Sequence, residues 1–154
     1  MTLVKAKEKV VLTVNGQRHE FQVDPSLSLL VILRNELNLT GAKRSCDDGD
    51  CGSCIVLLGS KGVMSCLLPV SRAQGKNVTT VEGLAALYSG EKVSIDDDAL
   101  ESLHPLQQAF EEFGATQCGF CIPGMLMQSK ALLDARPNPT REDITKWLAR
   151  NICR

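Results

Sequence analysis

Seven cysteines in a chain of 154 residues fall into two sets: Cys46, Cys51, Cys54 and Cys66 in the first half, then Cys118, Cys121 and Cys153 in the second. The first three follow the C-x4-C-x2-C run of a plant-type [2Fe–2S] site. Cys66 completes a fourfold set after eleven further residues. The second set is a C-x2-C pair followed by a cysteine thirty-one residues on, one residue before Arg154. Soft thiolate donors favour iron–sulfur clusters, and four of them satisfy two tetrahedral irons that share two sulfides. Disulfides and zinc use cysteines in similar numbers. The opening MTLVKAKEKVVLTVNG holds no apolar stretch long enough for a signal peptide, which argues against a disulfide framework. Zinc sites usually pair two C-x2-C knuckles or add two closely spaced histidines. Here the first spacing is x4, and His19 and His104 are scattered. The spacing therefore predicts bound iron–sulfur clusters.

Gly49 and Gly52 lie between the ligands of the first set. A loop that wraps a cluster brings its backbone close to inorganic sulfide, and a residue without Cβ permits that approach and a positive φ. Backbone N–H groups aimed at the sulfurs would help set the potential. Asp47, Asp48 and Asp50 read as a solvated loop face, because the D-x-[DN]-x-[DN]-G register of a calcium loop is absent. There is no nucleophile with a paired base, so no catalytic residue is assigned and bond-making is not expected within this chain.

Composition narrows the partners. Seventeen basic and eighteen acidic residues leave a formal charge of −1, without the basic run or aromatic ladder that would bind nucleic acid. No apolar segment approaches the length of a membrane span. Seven cysteines without a signal fit a reducing compartment, so the cytoplasm is expected. With 4% aromatic residues, each half must depend on aliphatic burial, and bound clusters would help tie down small cores.

The elements that position the cysteines change character along the chain. Lys9 to Val14 alternates around Val10, Leu12 and Val14, Asn15-Gly16 signals a two-residue turn, and Arg18 to Val23 alternates again. Ser26 or Ser28 can cap LLVILRNELN, whose Leu29, Leu30, Leu33 and Leu37 share a helical face. The cysteine loop SCDDGDCGSC follows, then two short strands in IVLLGSKGVMSC that turn at Gly59 to Gly62. From about Asn77 the spacing becomes helical, giving VEGLAAL, LHPLQQAFEEF, PGMLMQSKALLDA and TREDITKWLARN as four helices of a bundle. Tyr88 to Ser102 reads as a polar excursion, in which DDDALESL adds a helical turn. Gly114 ends the second of these helices. Cys121 takes the N-cap position of the third with Pro123 just inside, where the helix dipole would favour a thiolate. Pro137-Asn138-Pro139 breaks the chain before Thr140, which caps the last helix with Asp143, and Ile144 and Trp147 face the core.

SCDDGDCGSCIV with Cys66, then TQCGFCIPGMLM and NICR, resembles the small iron–sulfur subunit of the molybdenum hydroxylases, the family of xanthine dehydrogenase, aldehyde oxidoreductase, carbon monoxide dehydrogenase and 4-hydroxybenzoyl-CoA reductase. The likeness covers nearly the whole chain. It implies an α+β fold: an N-terminal β-grasp ferredoxin-like domain over residues 1–78, and a C-terminal four-helix-bundle domain over 79–154, each with one [2Fe–2S] cluster. By the same resemblance Cys46, Cys51, Cys54 and Cys66 bind the cluster nearer the flavin. Cys118, Cys121 and Cys153 bind the one nearer molybdenum. Family members usually end this region with CRCTG, so the fourth ligand of the second cluster would be residue 155, past Arg154, and a truncated chain is expected. Ile122 stands where CTPG is common, with Pro123 kept. Gln117 matches a residue that contacts the pterin of the molybdenum cofactor.

The implied role is that of an electron-transfer subunit of an oxidoreductase complex. A large subunit would hold molybdopterin and the substrate, and a medium subunit would hold FAD, or a cytochrome would replace it. Electrons would pass between them through the two clusters. A buried, largely apolar interface around Cys118 and Gln117 is expected, in a dimer of heterotrimers. Location would be periplasmic only on a partner's signal. The alternative is a free two-cluster ferredoxin, although such carriers often dock through a strongly acidic surface that this composition does not supply. A module merely stapled by its metal sites would not accept electrons reversibly.

Overall fold

The computed structural model describes residues 6–90 and 102–154. The fold opens on a hairpin. β1 (Glu8–Val14) and β2 (Gln17–Val23) pair antiparallel, with Val14 opposite Gln17 and Glu8 opposite Val23. Asn15 and Gly16 have φ of 49° and 79°, the double positive φ that matches the twist of two joined strands. Val10, Leu12 and Val14 point inward from β1. α1 (Leu29–Val31) is capped by Ser28, whose hydroxyl accepts from Val31 N–H at 3.4 Å. It runs directly into a wider helical stretch, Ile32–Glu36, closed by Leu37 N–H to Ile32 O at 3.2 Å. In this widened register Ile32 is fully buried and Leu37 only half-buried, a departure from the expected Leu29, Leu30, Leu33 and Leu37 face.

β3 (Ile55–Leu58) and β4 (Lys61–Met64) form the second hairpin, turning at Gly59 and Ser60. β5 (Asn77–Thr79), which the sequence pattern did not reveal, lies between β1 and β3, parallel to the first and antiparallel to the second. The sheet order is β2-β1-β5-β3-β4. Three residues are too few to show a period, and the partners of β5 are distant in sequence.

β3 joins the two halves. Its alternation sends Val56 into a core with Leu12, Leu30, Leu33, Val70 and Val78, while Ile55 and Leu57 enter another with Leu84, Leu126 and Met127. A strand buried on both faces reads as an unbroken apolar run, which IVLL is. Each fully buried leucine here contributes about 1.5–3 kcal/mol.

The helices follow the expected breaks. A tight turn at Val81–Gly83 leads into α2 (Leu84–Ser89), which runs past Tyr88 and stops at Gly90 with φ 75°. Residues 91–101, which hold most of the expected polar excursion and its helical turn, lie outside the described residues. α3 (Pro105–Glu112) is capped by the imidazole of His104, which accepts from Leu106 N–H at 3.1 Å, and Gly114 follows with φ 58°. α4 (Ile122–Ala135) packs on β3, β4, α3 and α5 (Arg141–Leu148). Thr140 and Asp143 form the expected reciprocal cap of α5. Ile144 does not face the core. It is 41% exposed, whereas Trp147, one turn further along α5, is half-buried. The architecture is α+β, a β-grasp ferredoxin-like sheet followed by a four-helix region.

Candidate iron–sulfur sites

The first cysteine loop is closed at its neck before any metal is considered. The Arg34 guanidinium donates to Thr40 O and Ala42 O, each at 2.9 Å, and Lys43 N–H donates to Ser53 O at 3.0 Å. Beyond the neck, Cys54 leads into β3. The β3–β4 register pairs Ile55 with Met64, which brings Ser65 beside Cys54 and sets Cys66 next to it. Fully buried Ser65 donates from its hydroxyl to Cys54 O at 2.7 Å, with its own N–H at 3.4 Å from the same oxygen. Strand pairing thus fixes two cysteines that are separate in sequence.

The thiols meet two by two. Cys51 N–H donates to Cys46 Sγ at 3.4 Å. Burial raises the Cys51 pKa, but hydrogen bonds from Ser53 and Cys46 outweigh it and bring the thiol down to about 6. Burial pushes Cys66 up to about 12, aided by a hydrogen bond to Cys54 and by the charges of Cys54, Cys46 and Asp47. Among the described residues, no three His, Cys, Asp or Glu side chains form a group fit for a single ion. Pairs of thiols suit a two-iron cluster, in which each iron takes two thiolates and the added positive charge relieves their mutual repulsion.

Asp47, Asp48 and Asp50 are exposed, with Asp47 paired to Arg44 at 2.5 Å. Gly49 and Gly52 have φ of 89° and 71°. Protein atoms already fill the place of a side chain at both. A Cβ on Gly49 would lie 2.4 Å from Leu67 Cδ1, and one on Gly52 would lie 2.7 Å from Arg150 O.

The second set is held differently. Cys118 and Gln117 lie exposed in the segment between α3 and α4, Gly119 turns the chain with φ 78°, and Cys121 is the N-cap residue of α4. Cys153 lies exposed in the irregular segment after α5. Cys121 and Cys153 are hydrogen-bonded through their thiols, with Cys118 close enough to add its charge. The helix terminus does not favour a Cys121 thiolate as expected, because burial, then Cys153, push its pKa up. Phe120 between Cys118 and Cys121, Ile152 next to Cys153, and Phe113 at the end of α3, 79% exposed, are uncovered apolar side chains in the segments that carry these cysteines. His19 lies in β2 opposite Leu12 of β1 and His104 caps α3, so both histidines have structural places.

The two sets are in contact through the backbone. Ile152 N–H donates to Cys51 O at 3.0 Å, and the Asn151 amide donates to Gly52 O at 3.2 Å. A Cβ on Gly124, in the first turn of α4, would lie 2.2 Å from Gly52 O. Ser65, Gly124, Asn151 and Ile152 escaped sequence reasoning. Gly124 gave the only signal, a glycine inside a helix, which often marks a close approach.

Comparisons with known proteins match the two halves separately and the chain as a whole. The model of the "2Fe-2S iron-sulfur cluster binding domain" matches residues 12–84, and that of the "[2Fe-2S] binding domain" matches 80–154. The chain is 43% identical to a nicotinate dehydrogenase component of Pseudomonas putida over 94% of its own length and 84% of that protein. It is 38% identical to the nicotinate dehydrogenase small FeS subunit of Eubacterium barkeri, covering 96% and 86%. The crystal structure of quinoline 2-oxidoreductase from Pseudomonas putida 86 superposes with a TM-score of 0.82 at 34% identity, over 97% of this chain and 85% of that one. Aldehyde oxidoreductase from Desulfovibrio desulfuricans superposes with a TM-score of 0.81 at 41% identity, over 95% of this chain but 15% of that longer one. No helix among the described residues is long and apolar enough to cross a membrane. With both cluster-binding models matched and these relatives sharing sequence and fold over nearly its whole length, the chain belongs to the small iron–sulfur subunits of the molybdenum hydroxylases, electron-transfer components of multi-subunit oxidoreductases.

Proposed function

We propose that Cys46, Cys51, Cys54 and Cys66 hold one [2Fe–2S] cluster and that Cys118, Cys121 and Cys153, with a further donor, hold the other. The observation that carries this reading is the convergence of the cysteines in pairs, Cys51 N–H on Cys46 Sγ, Cys66 on Cys54 and Cys121 on Cys153. Bound there, each cluster supplies reversible one-electron chemistry. The chain's own residues bind and tune. The Cys51 N–H aimed at Cys46 Sγ stabilises added negative charge, and Ser65 fixes the buried Cys54. We place the domain division at 78/79, within β5 (Asn77–Thr79) and two residues before the turn at Val81–Gly83 that leads into the helices.

The exposed apolar rim of Phe113, Phe120 and Ile152 favours a large molybdopterin-binding subunit covering the second site, with Gln117 reaching the pterin. A medium FAD-binding subunit, or a cytochrome, would take the first site's side, in a dimer of heterotrimers located in the cytoplasm. Substrate contacts belong to the large subunit. Purification of the tagged chain from its own host tests this directly. Two further chains carrying molybdopterin and FAD are expected, whereas a stable two-cluster protein that purifies alone would favour a free ferredoxin.

A further inference from the structure

Residues 149–154, which carry Cys153, form neither helix nor strand. One local hydrogen bond, Asn151 N–H to Leu148 O at 2.9 Å, continues the end of α5. Besides the contact of Cys153 with the Cys121 thiol, two more reach across the molecule to the first cysteine loop. The Asn151 amide group donates to Gly52 O at 3.2 Å over a separation of 99 residues, and Ile152 N–H donates to Cys51 O at 3.0 Å. Gly52 O also accepts from Ile55 N–H at 3.3 Å, the first residue of β3. A continuous set of bonds therefore runs from the sheet through Gly52 and Asn151 to the segment bearing Cys153.

We propose that Asn151 is a positioning residue for the second cluster, holding Cys153 in place through the Gly52 carbonyl, so that the first cysteine loop serves as the template on which the second site is completed. This rests on the reading that Cys118, Cys121 and Cys153 bind that cluster. The Asn151 side chain has one workable orientation. Its Oδ1 is buried without a partner among the described residues, and a flipped amide would set that oxygen against Gly52 O. Glycine at position 52 follows from the same contact, since a Cβ there would lie 2.6 Å from Asn151 Nδ2 and 2.7 Å from Arg150 O. The dependence is unequal: Ile152 N–H also reaches Cys51 O, but the first set has further supports of its own. The first set is positioned by Arg34, Lys43, Ser65 and the β3–β4 pairing, none of which involves the tail.

The test is made on the full complex, reading the two reduced-cluster EPR signals while a chelator removes iron. Asn151→Asp keeps the size of the side chain and removes its donor. It is expected to speed loss of the second signal about tenfold, as removal of an outer-shell partner does elsewhere, and to leave the first signal's shape and lifetime unchanged. Gly52→Ala, a change in the first loop, is expected to act in the same direction on the second signal. A native-like lifetime of the second signal in Asn151→Asp overturns the proposal, and so does equal loss of both signals, which would mark a general structural role. Absence of the second signal from the native complex would overturn the reading of that site, and the proposal with it.

Discussion

Cys54 enters β3 directly and Cys66 follows β4, so the ladder that builds the sheet also spaces two cysteines of the first set. Cys118 lies in an exposed turn, Cys121 at a helix start and Cys153 in an irregular tail. Cys54 is buried and its loop is braced at the neck, although Asp47, Asp48 and Asp50 are exposed, whereas Cys118 and Cys153 are exposed, with Phe113, Phe120 and Ile152 likewise uncovered. Burial on one side and exposure on the other assign different work. A strand-held site keeps its geometry by itself, while a site made from chain ends needs neighbours, one within the chain and one outside it.

The largest expected effect separates the sites outright. Cys54→Ser removes one ligand but leaves the loop backbone tied by Lys43 N–H to Ser53 O and by β3. One EPR signal should vanish and the other persist, and loss of both would break the two-site comparison. Gly124→Ala attacks the contact between the sites, forcing Gly52 O away from a methyl group 2.2 Å from its present position. Overpacking of this kind costs about 1–3 kcal/mol, read as a lower unfolding midpoint, and unchanged stability would show that the two halves pack more loosely than the backbone approach indicates. Ser65→Ala sharpens the account of the first site alone. Losing the buried hydroxyl bond to Cys54 O should cost about 1 kcal/mol and shift only the first cluster's midpoint potential.

The smallest effect belongs to the helical half. His104 caps α3 as the neutral imidazole, and burial, reinforced by Lys130 and opposed by Asp134, lowers its pKa in the folded state. Tyr88 packs edge-on against the ring. The unfolded chain therefore takes up the proton more readily. The cap's contribution is full above about pH 6.5 and is lost as pH falls through the lower folded pKa. His104→Asn keeps a capping side chain without titrating, so a stability profile should lose its fall on the acid side of about pH 6.5.

What the sequence revealed follows the same divide. Asn15-Gly16 disclosed the first hairpin because a turn of two positive φ angles demands such residues. The caps at Ser28 and Thr140 were legible because capping is local chemistry, whereas Cys121 takes the N-cap position of α4 without a side-chain capping bond. β5 was hidden, since its identity comes from β1 and β3 rather than from its three residues. Ile144 was misjudged because helical spacing shows that residues share a face, not whether anything covers it. Gly52 was singled out for its approach to sulfide, yet the atoms that exclude a side chain there belong to Arg150 and Asn151. Such a contact, 99 residues apart, leaves no local trace.

The measurement that bears most directly on the central claim is low-temperature EPR of the dithionite-reduced complex, with spins counted against protein and iron. Two distinct S = 1/2 signals of equal weight are predicted, one from each cysteine set. A single signal, with iron for one cluster only, would contradict the claim that this chain holds two.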